Sequence, residues 1–292
     1  MVGSAADWRP PFPCIDVHVH LHPPRLGEAI QRHFAREGWV SAHPFEAAKV
    51  AGALAERGVE RFCFFTYAHK PGMARALNRW VAETAATLPA AVALGTLHPD
   101  DPDVVADAAE ATGPLGLRGF KFHHSVQRFP VDDPRLFPVY ERAEAAGHLL
   151  MLHVGTMPYR DAFTGVAGFR RVLARFPRLT AIVAHMGAFE SEEFLALLEA
   201  HPNVYVDTTM ALNAEAARHV GGDPAAITDG ALVRYQDRIV FGSDYPLIPY
   251  DYEHERRWAW DRDLPDAVRR KIFYDNAARL IPPASARTSA SR

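Results

Sequence analysis

Residues 15–20 read Ile15-Asp16-Val17-His18-Val19-His20, and this stretch decides how the rest of the chain is interpreted. As a β-strand with a side-chain period of two, it places the acid and both histidines on one side and the aliphatic residues on the other. Two imidazoles that project from alternate strand positions can converge on one point. The stretch therefore predicts a strand carrying half of a metal site, or else a histidine pair packed in the core or on the surface.

Composition narrows the class of protein. The chain has 292 residues, of which 48% are hydrophobic and 23% charged, and its net charge is −3. These values are typical of a globular protein, and without a basic run they favour a small-molecule partner over nucleic acid or a membrane. No apolar run reaches the roughly 18 residues that a membrane span needs, and residues 1–13 lack the apolar core of a signal peptide. We therefore expect a cytoplasmic protein.

Apolar segments of strand length alternate with segments of helical periodicity along most of the chain. The predicted strands are residues 15–20, 59–66, 91–97, 117–123, 149–154, 179–185, 204–208 and 239–243. Eight such units predict an α/β fold, a single-domain (β/α)8 TIM barrel over residues 14–281, between an N-terminal extension (1–13) and a disordered tail (282–292). The rival, an open doubly wound sheet, usually carries a glycine-rich phosphate loop after its first strand, where this chain has His20-Leu21-His22-Pro23.

Residues capable of metal binding and acid–base chemistry stand at the carboxyl ends of the predicted strands. They are His18 and His20, Lys121 and His123, His153, His185 and Asp244. In a closed parallel barrel these ends lie on one face, where such barrels place their active sites. Imidazoles and one carboxylate suit zinc or another divalent ion with a place left for water, and Asp244 is the candidate to take the water proton. No HExxH, GxSxG or P-loop motif is present.

With these residues assembled, the chain resembles the metal-dependent amidohydrolase superfamily, and within it the amidohydrolase family 2 branch that includes aminocarboxymuconate semialdehyde decarboxylase. The matching stretches are residues 15–20, Gly119-Phe120-Lys121-Phe122-His123, Met151-Leu152-His153, Val183-Ala184-His185-Met186-Gly187, Phe241-Gly242-Ser243-Asp244-Tyr245-Pro246 and Asp275-Asn276-Ala277-Ala278-Arg279-Leu280. They cover almost the whole chain.

The resemblance implies a role for each residue. His18, His20, His153 and Asp244 would bind one metal ion, and His185 would orient the attacking water or polarise the substrate. Lys121 and His123 would then contact a substrate anion. In other branches a lysine at this place is carboxylated and bridges two ions, and a third interpretation pairs Lys121 with a buried carboxylate such as Asp16 or Asp207.

The resemblance also implies the reaction. We expect a hydrolase that acts on an ester, lactone or amide of a small carboxylated substrate. The alternative is a lyase, either a non-oxidative decarboxylase or a hydratase; the retained His18 favours hydrolysis, because some decarboxylases of this branch have glutamate there. A barrel that binds a ligand without turnover would lack one of the metal ligands, and no such loss is visible.

Several further residues carry secondary expectations. The long segment Arg25–Pro44 suggests a lid or wall beside the site, and with residues 246–252 it is expected to set specificity. Asp16 is expected to be a structural hydrogen-bond acceptor, His22 to lie past the end of the strand, and Gln127 to be a candidate for substrate contact. The aromatic residues at 250, 252, 258 and 260 suit packing under the last helix or the interface of a homodimer.

Overall fold

The computed structural model describes residues 10–283. The chain forms two compact units. The first comprises Met1–Phe64, Leu88–Val92 and Thr208–Arg292, and the second comprises Phe65–Thr87 and Ala93–Asp207. The predicted N-terminal extension and tail lie largely outside the described residues, so those boundaries stay predictions.

Strands and helices alternate along the described residues, as predicted. The strands are β1 Cys14–His20, β2 Val59–Phe65, β3 Ala91–Ala93, β4 Gly119–His123, β5 Leu149–His153, β6 Thr180–Val183, β7 Val204–Asp207 and β8 Ile239–Val240. The helices are α1 Pro24–Arg36, α2 Ala47–Glu56, α3 Ala74–Ala86, α4 Val104–Thr112, α5 His124–Gln127, α6 Phe137–Ala146, α7 Val166–Arg175, α8 Ser191–Ala200, α9 Ala214–Val220, α10 Asp229–Arg234, α11 Tyr252–Trp260, α12 Asp266–Arg270 and α13 Asn276–Leu280. A π-helical turn, Lys271–Asp275, joins the last two.

In the first unit, strand β1 is buried along its whole length. Its backbone is bonded to the segment around β8: the Val17 amide donates to the Phe241 carbonyl at 3.0 Å, and the His20 amide donates to the Tyr245 carbonyl at 2.8 Å. Strand β2 follows β1 in the sheet order. Burial on both faces explains why β1 carries aliphatic residues on one face and a hydrogen-bonded polar set on the other.

In the second unit, strands β4 to β7 form a parallel sheet in sequential order. The pairing of Gly119 with Leu149 fixes the register of β4 on β5. A Cβ at Gly119 would lie 1.8 Å from the Leu149 carbonyl oxygen, and its φ is +157°. Only glycine therefore permits this close approach of the two strands.

The structure differs from the sequence prediction mainly before α2. The segment Arg25–Pro44 contains the helix α1, of which only Gly27 is buried. Its first residue, Pro24, is the second of a proline pair, which favours a break in the sequence pattern although proline is tolerated at the first position of a helix. Elsewhere each predicted strand has its counterpart, although β3, β6 and β8 are shorter than predicted. Among residues 10–283, no helix has the length and apolar character needed to cross a membrane.

Candidate metal centre

Two histidines and one carboxylate converge in the first unit. The Nε2 atoms of His18 and His20 lie 3.0 Å and 2.9 Å from the same oxygen, Oδ1 of Asp244. Both imidazoles are buried, and the Asp244 side chain is 14% exposed. The strand alternation predicted from residues 15–20 produces this arrangement, because it projects both rings from one face of β1.

The backbone at Asp244 is unusual for a residue with a side chain. Its φ is +64°, in the left-handed region. The Asp244 amide donates to the His18 carbonyl at 2.8 Å, and the Leu247 amide donates to the Asp244 carbonyl at 2.9 Å. These bonds hold a conformation that costs about 1–3 kcal/mol, and such strain is often found where a side chain must be aimed at a site.

Asp16 holds the residues of this cluster in place through hydrogen bonds. Its Oδ1 accepts the His18 amide hydrogen at 3.0 Å, and its Oδ2 accepts from the Ser243 hydroxyl at 2.5 Å and the Tyr252 hydroxyl at 3.1 Å. Burial raises the pKa of Asp16 to about 6, against the opposing effect of these donors. The expectation that Asp16 is a structural hydrogen-bond acceptor is confirmed. It holds the backbone of His18 and the residue preceding Asp244.

Charge interactions keep Asp244 ionised. Burial alone would raise the pKa of its carboxyl, but His20 and His18 outweigh burial and hold the pKa well below its usual range. An ionised carboxylate facing two imidazole nitrogens in a buried place forms a nitrogen and oxygen donor set of the kind that divalent metals bind. His18 and Asp244 each offer an atom that could hold a metal ion.

Further imidazoles come together in the second unit around His153. Its Nε2 lies 2.7 Å from the Met157 carbonyl oxygen, and its Nδ1 lies 3.2 Å from Nε2 of His185. A carbonyl oxygen only accepts, so Nε2 of His153 carries the proton and Nδ1 keeps a lone pair. Metal-binding histidines commonly donate their second ring N–H to a carbonyl in this way.

The electrostatic surroundings of His153 favour its neutral form. Burial, followed by His123 and His185, lowers its pKa well below the ordinary value for histidine. A metal ligand must be unprotonated at the coordinating nitrogen. His153 therefore has the protonation state and the fixed tautomer that a metal ligand requires.

His185 is held in a strained turn after β6. Its φ is +57°, and positive φ values continue through Met186, Gly187 and Ala188. The His185 amide donates to Oδ1 of Asp207 at 2.8 Å. Asp207 thus acts on His185 through the backbone. The sequence suggests Asp207 only as a partner for Lys121, because a bond to a backbone amide leaves no signal in the sequence.

The two residues predicted to contact substrate occupy different surroundings in the second unit. Lys121 is fully buried, with its Nζ 4.5 Å from the centre of the Phe65 ring. His123 is half-buried and stacks on His153 with ring centres 3.9 Å apart. Substrate contact by either residue remains a prediction.

Two weaker expectations find structural explanations. His22 lies past the end of β1, as expected; it is 4% exposed and stacks on His20 with ring centres 5.7 Å apart. Gln127 is buried, accepts the His123 amide hydrogen and donates to the carbonyls of Ala68 and Leu97. Its amide is saturated by backbone groups, which explains its presence without substrate.

The chain is similar to a known protein family and to several solved structures. The family model described as Amidohydrolase matches residues 15–282. Among solved structures, an uncharacterised TIM-barrel protein from Bordetella bronchiseptica has 22% identity and a TM-score of 0.71, covering 94% of this chain and 100% of its own. The 4-oxalomesaconate hydratase of Rhodopseudomonas palustris has 17% identity and a TM-score of 0.64, covering 95% and 98%.

A third similar structure is the 5-carboxyvanillate decarboxylase of Novosphingobium aromaticivorans, in complex with manganese and a nitrobenzoic acid. It has 15% identity and a TM-score of 0.62, covering 92% of this chain and 96% of its own. At these identities the likeness shows the fold, which is the α/β TIM barrel predicted from the sequence. The family match across nearly the whole chain shows more: the protein belongs to the amidohydrolase family, in its metal-dependent amidohydrolase 2 branch.

Proposed function

We propose that this protein is a metal-dependent hydrolase that cleaves an ester, lactone or amide of a small carboxylated compound. The observation that carries the proposal is the convergence of the His18 and His20 Nε2 atoms on one oxygen of an ionised Asp244. Such a donor set fits a divalent cation, and the carboxylate beside it fits proton transfer.

His18, His20, His153 and Asp244 are the residues proposed to hold one ion. The family match, the neutral state of His153 and its unprotonated Nδ1 support this assignment. A bound divalent ion would act as a Lewis acid, polarising a substrate oxygen and making water more acidic. We propose zinc, for which nitrogen-rich donor sets are well suited, with manganese as the competing metal because a similar decarboxylase was crystallised with it.

The residues of the chain supply the acid–base chemistry. Asp244, ionised and 14% exposed, would accept the proton of the attacking water at a carboxylate oxygen and return it to the leaving group. His185 would orient the water or polarise the scissile carbonyl. Lys121 and His123 would contact the substrate carboxylate in the one-metal arrangement. If Lys121 is instead carboxylated, two ions would bind.

The second candidate function is a lyase reaction on a carboxylated compound. Two of the similar structures favour it, since one is a decarboxylase and the other a hydratase. Decarboxylation and hydration also need an ordered carboxylated substrate and a residue that moves a proton. The same residues could therefore support either class of reaction.

A substrate panel separates the two reactions. The metal-loaded protein is assayed against carboxylated esters, lactones and amides, and against carboxylated phenols and unsaturated diacids. Hydrolysis with uptake of water into the product supports the first proposal. Release of CO₂ or hydration of a double bond without hydrolysis would replace it with the second.

Metal content tests the site independently of the substrate. We expect about one equivalent of metal by elemental analysis, and loss of most of it in His18→Ala and Asp244→Asn. The matched controls are His33→Ala on α1 and Asp266→Asn on α12, whose side chains are exposed. Full metal content in both site variants would refute the assignment, and two equivalents would favour a carboxylated Lys121. The cytoplasmic location and the homodimer stay sequence-based predictions, and light scattering would test the latter.

A further inference from the structure

A buried glutamate lies outside the set of proposed metal ligands. Glu255 on α11 is only 2% exposed. Its Oε1 accepts the Met210 amide hydrogen at 2.5 Å, and its Oε2 accepts from Asn213 Nδ2 and from the Tyr250 hydroxyl, both at 2.8 Å. A carboxyl group buried with three donors has an organising role that a helical glutamate on a solvated face would not have.

The three donors come from the two segments that follow β7 and β8. Met210 and Asn213 lie between β7 and α9, and the Asn213 Oδ1 caps α9 by accepting from the Glu215 amide at 2.8 Å. Tyr250 lies between β8 and α11, in the same connection as Asp244. Glu255 therefore fastens the connection that follows β7 to the connection that contains Asp244.

A third segment is attached to the same connection. The Ser41 hydroxyl donates to the Pro246 carbonyl at 2.6 Å, and His43 Nε2 donates to the Tyr250 carbonyl at 2.7 Å. The Trp39 indole N–H donates to the Leu247 carbonyl. The expectation that residues after α1 form a wall finds support within the first unit, because residues 39–43 are bonded along residues 246–250.

Asp244 is anchored without Glu255. Its amide bonds to the His18 carbonyl, and Asp16 holds the neighbouring Ser243. Burial raises the pKa of Glu255 to about 8 against the opposing effect of its three hydrogen-bond donors, and the charge of Asp244 adds a smaller increase. Loss of Glu255 should therefore loosen the surroundings of Asp244 and leave its backbone in place.

We propose that Glu255 is a positioning residue that fixes the wall of the substrate site by clamping residues 210–213 and Tyr250 together. This inference rests on the proposed function. Loops after barrel strands determine which substrate fits, so the clamp acts on substrate binding more than on the chemical step. Removing it should raise KM and leave kcat and metal content near the parent values.

The test uses Glu255→Gln and Tyr250→Phe in the full, metal-loaded chain. A glutamine side chain keeps the volume but has a single acceptor oxygen, so it can no longer accept from both Met210 and Asn213. The phenylalanine removes only the hydroxyl. We expect KM to rise about tenfold in each, the loss typical of one buried hydrogen bond, with kcat within about twofold. Amide hydrogen exchange should become faster in residues 208–213 and 246–255.

His254→Gln is the matched control. His254 is next to Glu255 on α11 and also bonds to α9, with its Nδ1 2.8 Å from Oε2 of Glu215. Unlike Glu255, it is partly exposed. It should retain the KM and exchange rates of the parent. A fall in kcat at unchanged KM, or unchanged exchange in 208–213, would overturn the proposal. If the parent hydrolyses nothing in the panel, the proposed function fails, while hydrogen exchange still decides whether the clamp exists.

Discussion

Glu255 makes the stability of this protein depend on pH in a direction that can be calculated. Burial raises its pKa from the ordinary 4.5 to about 8. Between these values the folded chain keeps a proton that the unfolded chain has released. The stability that this proton contributes is therefore fully present below pH 4.5 and is lost as the pH rises through 8. The complete loss corresponds to roughly 5 kcal/mol, of which roughly 1 kcal/mol falls between pH 7 and pH 9.

The assay is urea unfolding of the parent and of Glu255→Gln at pH 7, 8 and 9, followed by tryptophan fluorescence, with chelator present to remove metal. The glutamine variant has no proton to release, so the parent should lose roughly 1 kcal/mol more than the variant over this range. Burial also raises the pKa of Cys14, to about 11, but Cys14 is common to both proteins and cancels. His254→Gln should keep the slope of the parent. Parallel pH dependence in the parent and Glu255→Gln would refute the reasoning.

The remaining predictions concern other parts of the fold. Asp16→Ala leaves three donors, the His18 amide among them, without their acceptor. It should lower metal affinity about 10- to 100-fold, measured by competition with a chelating dye. Unchanged affinity would contradict a supporting role for Asp16. Gly187→Ala should lower the free energy of unfolding by about 3 kcal/mol or more, because the new Cβ would lie 2.1 Å from the Phe194 ring at a φ of +82°. Denaturant midpoints measure this change. A midpoint equal to that of the parent would show that the turn rearranges to accept the side chain. Lys121→Met should raise KM for carboxylated substrates while metal content stays at one equivalent. A carboxylated lysine is indicated instead if the variant loses metal and if bicarbonate restores activity to the parent but not to the variant.

The sequence supported both the fold and the search for the site. Apolar segments of strand length identified all eight strands, because both faces of the strands are buried and the side chains must be apolar. Period-two alternation in residues 15–20 placed His18 and His20 side by side, and the structure brings both to Asp244. Helix α1 was not predicted, although Leu26, Ile30 and Phe34 recur at the four-residue spacing of one helix face. The Pro23-Pro24 pair favours a break, but its second proline is the first residue of the helix.

What the sequence by itself determined is the identity of the strands, the face on which the histidines project, and the family, because each depends on local pattern and residue type. Only the tertiary structure decided that Glu255 is buried, that Met157 fixes the tautomer of His153, and that Asp207 holds the amide of His185. Each of these depends on a hydrogen bond to a backbone amide or carbonyl that the fold brings within reach. A backbone amide or carbonyl is the same at every non-proline position, so the sequence carries no signal of where it will donate or accept.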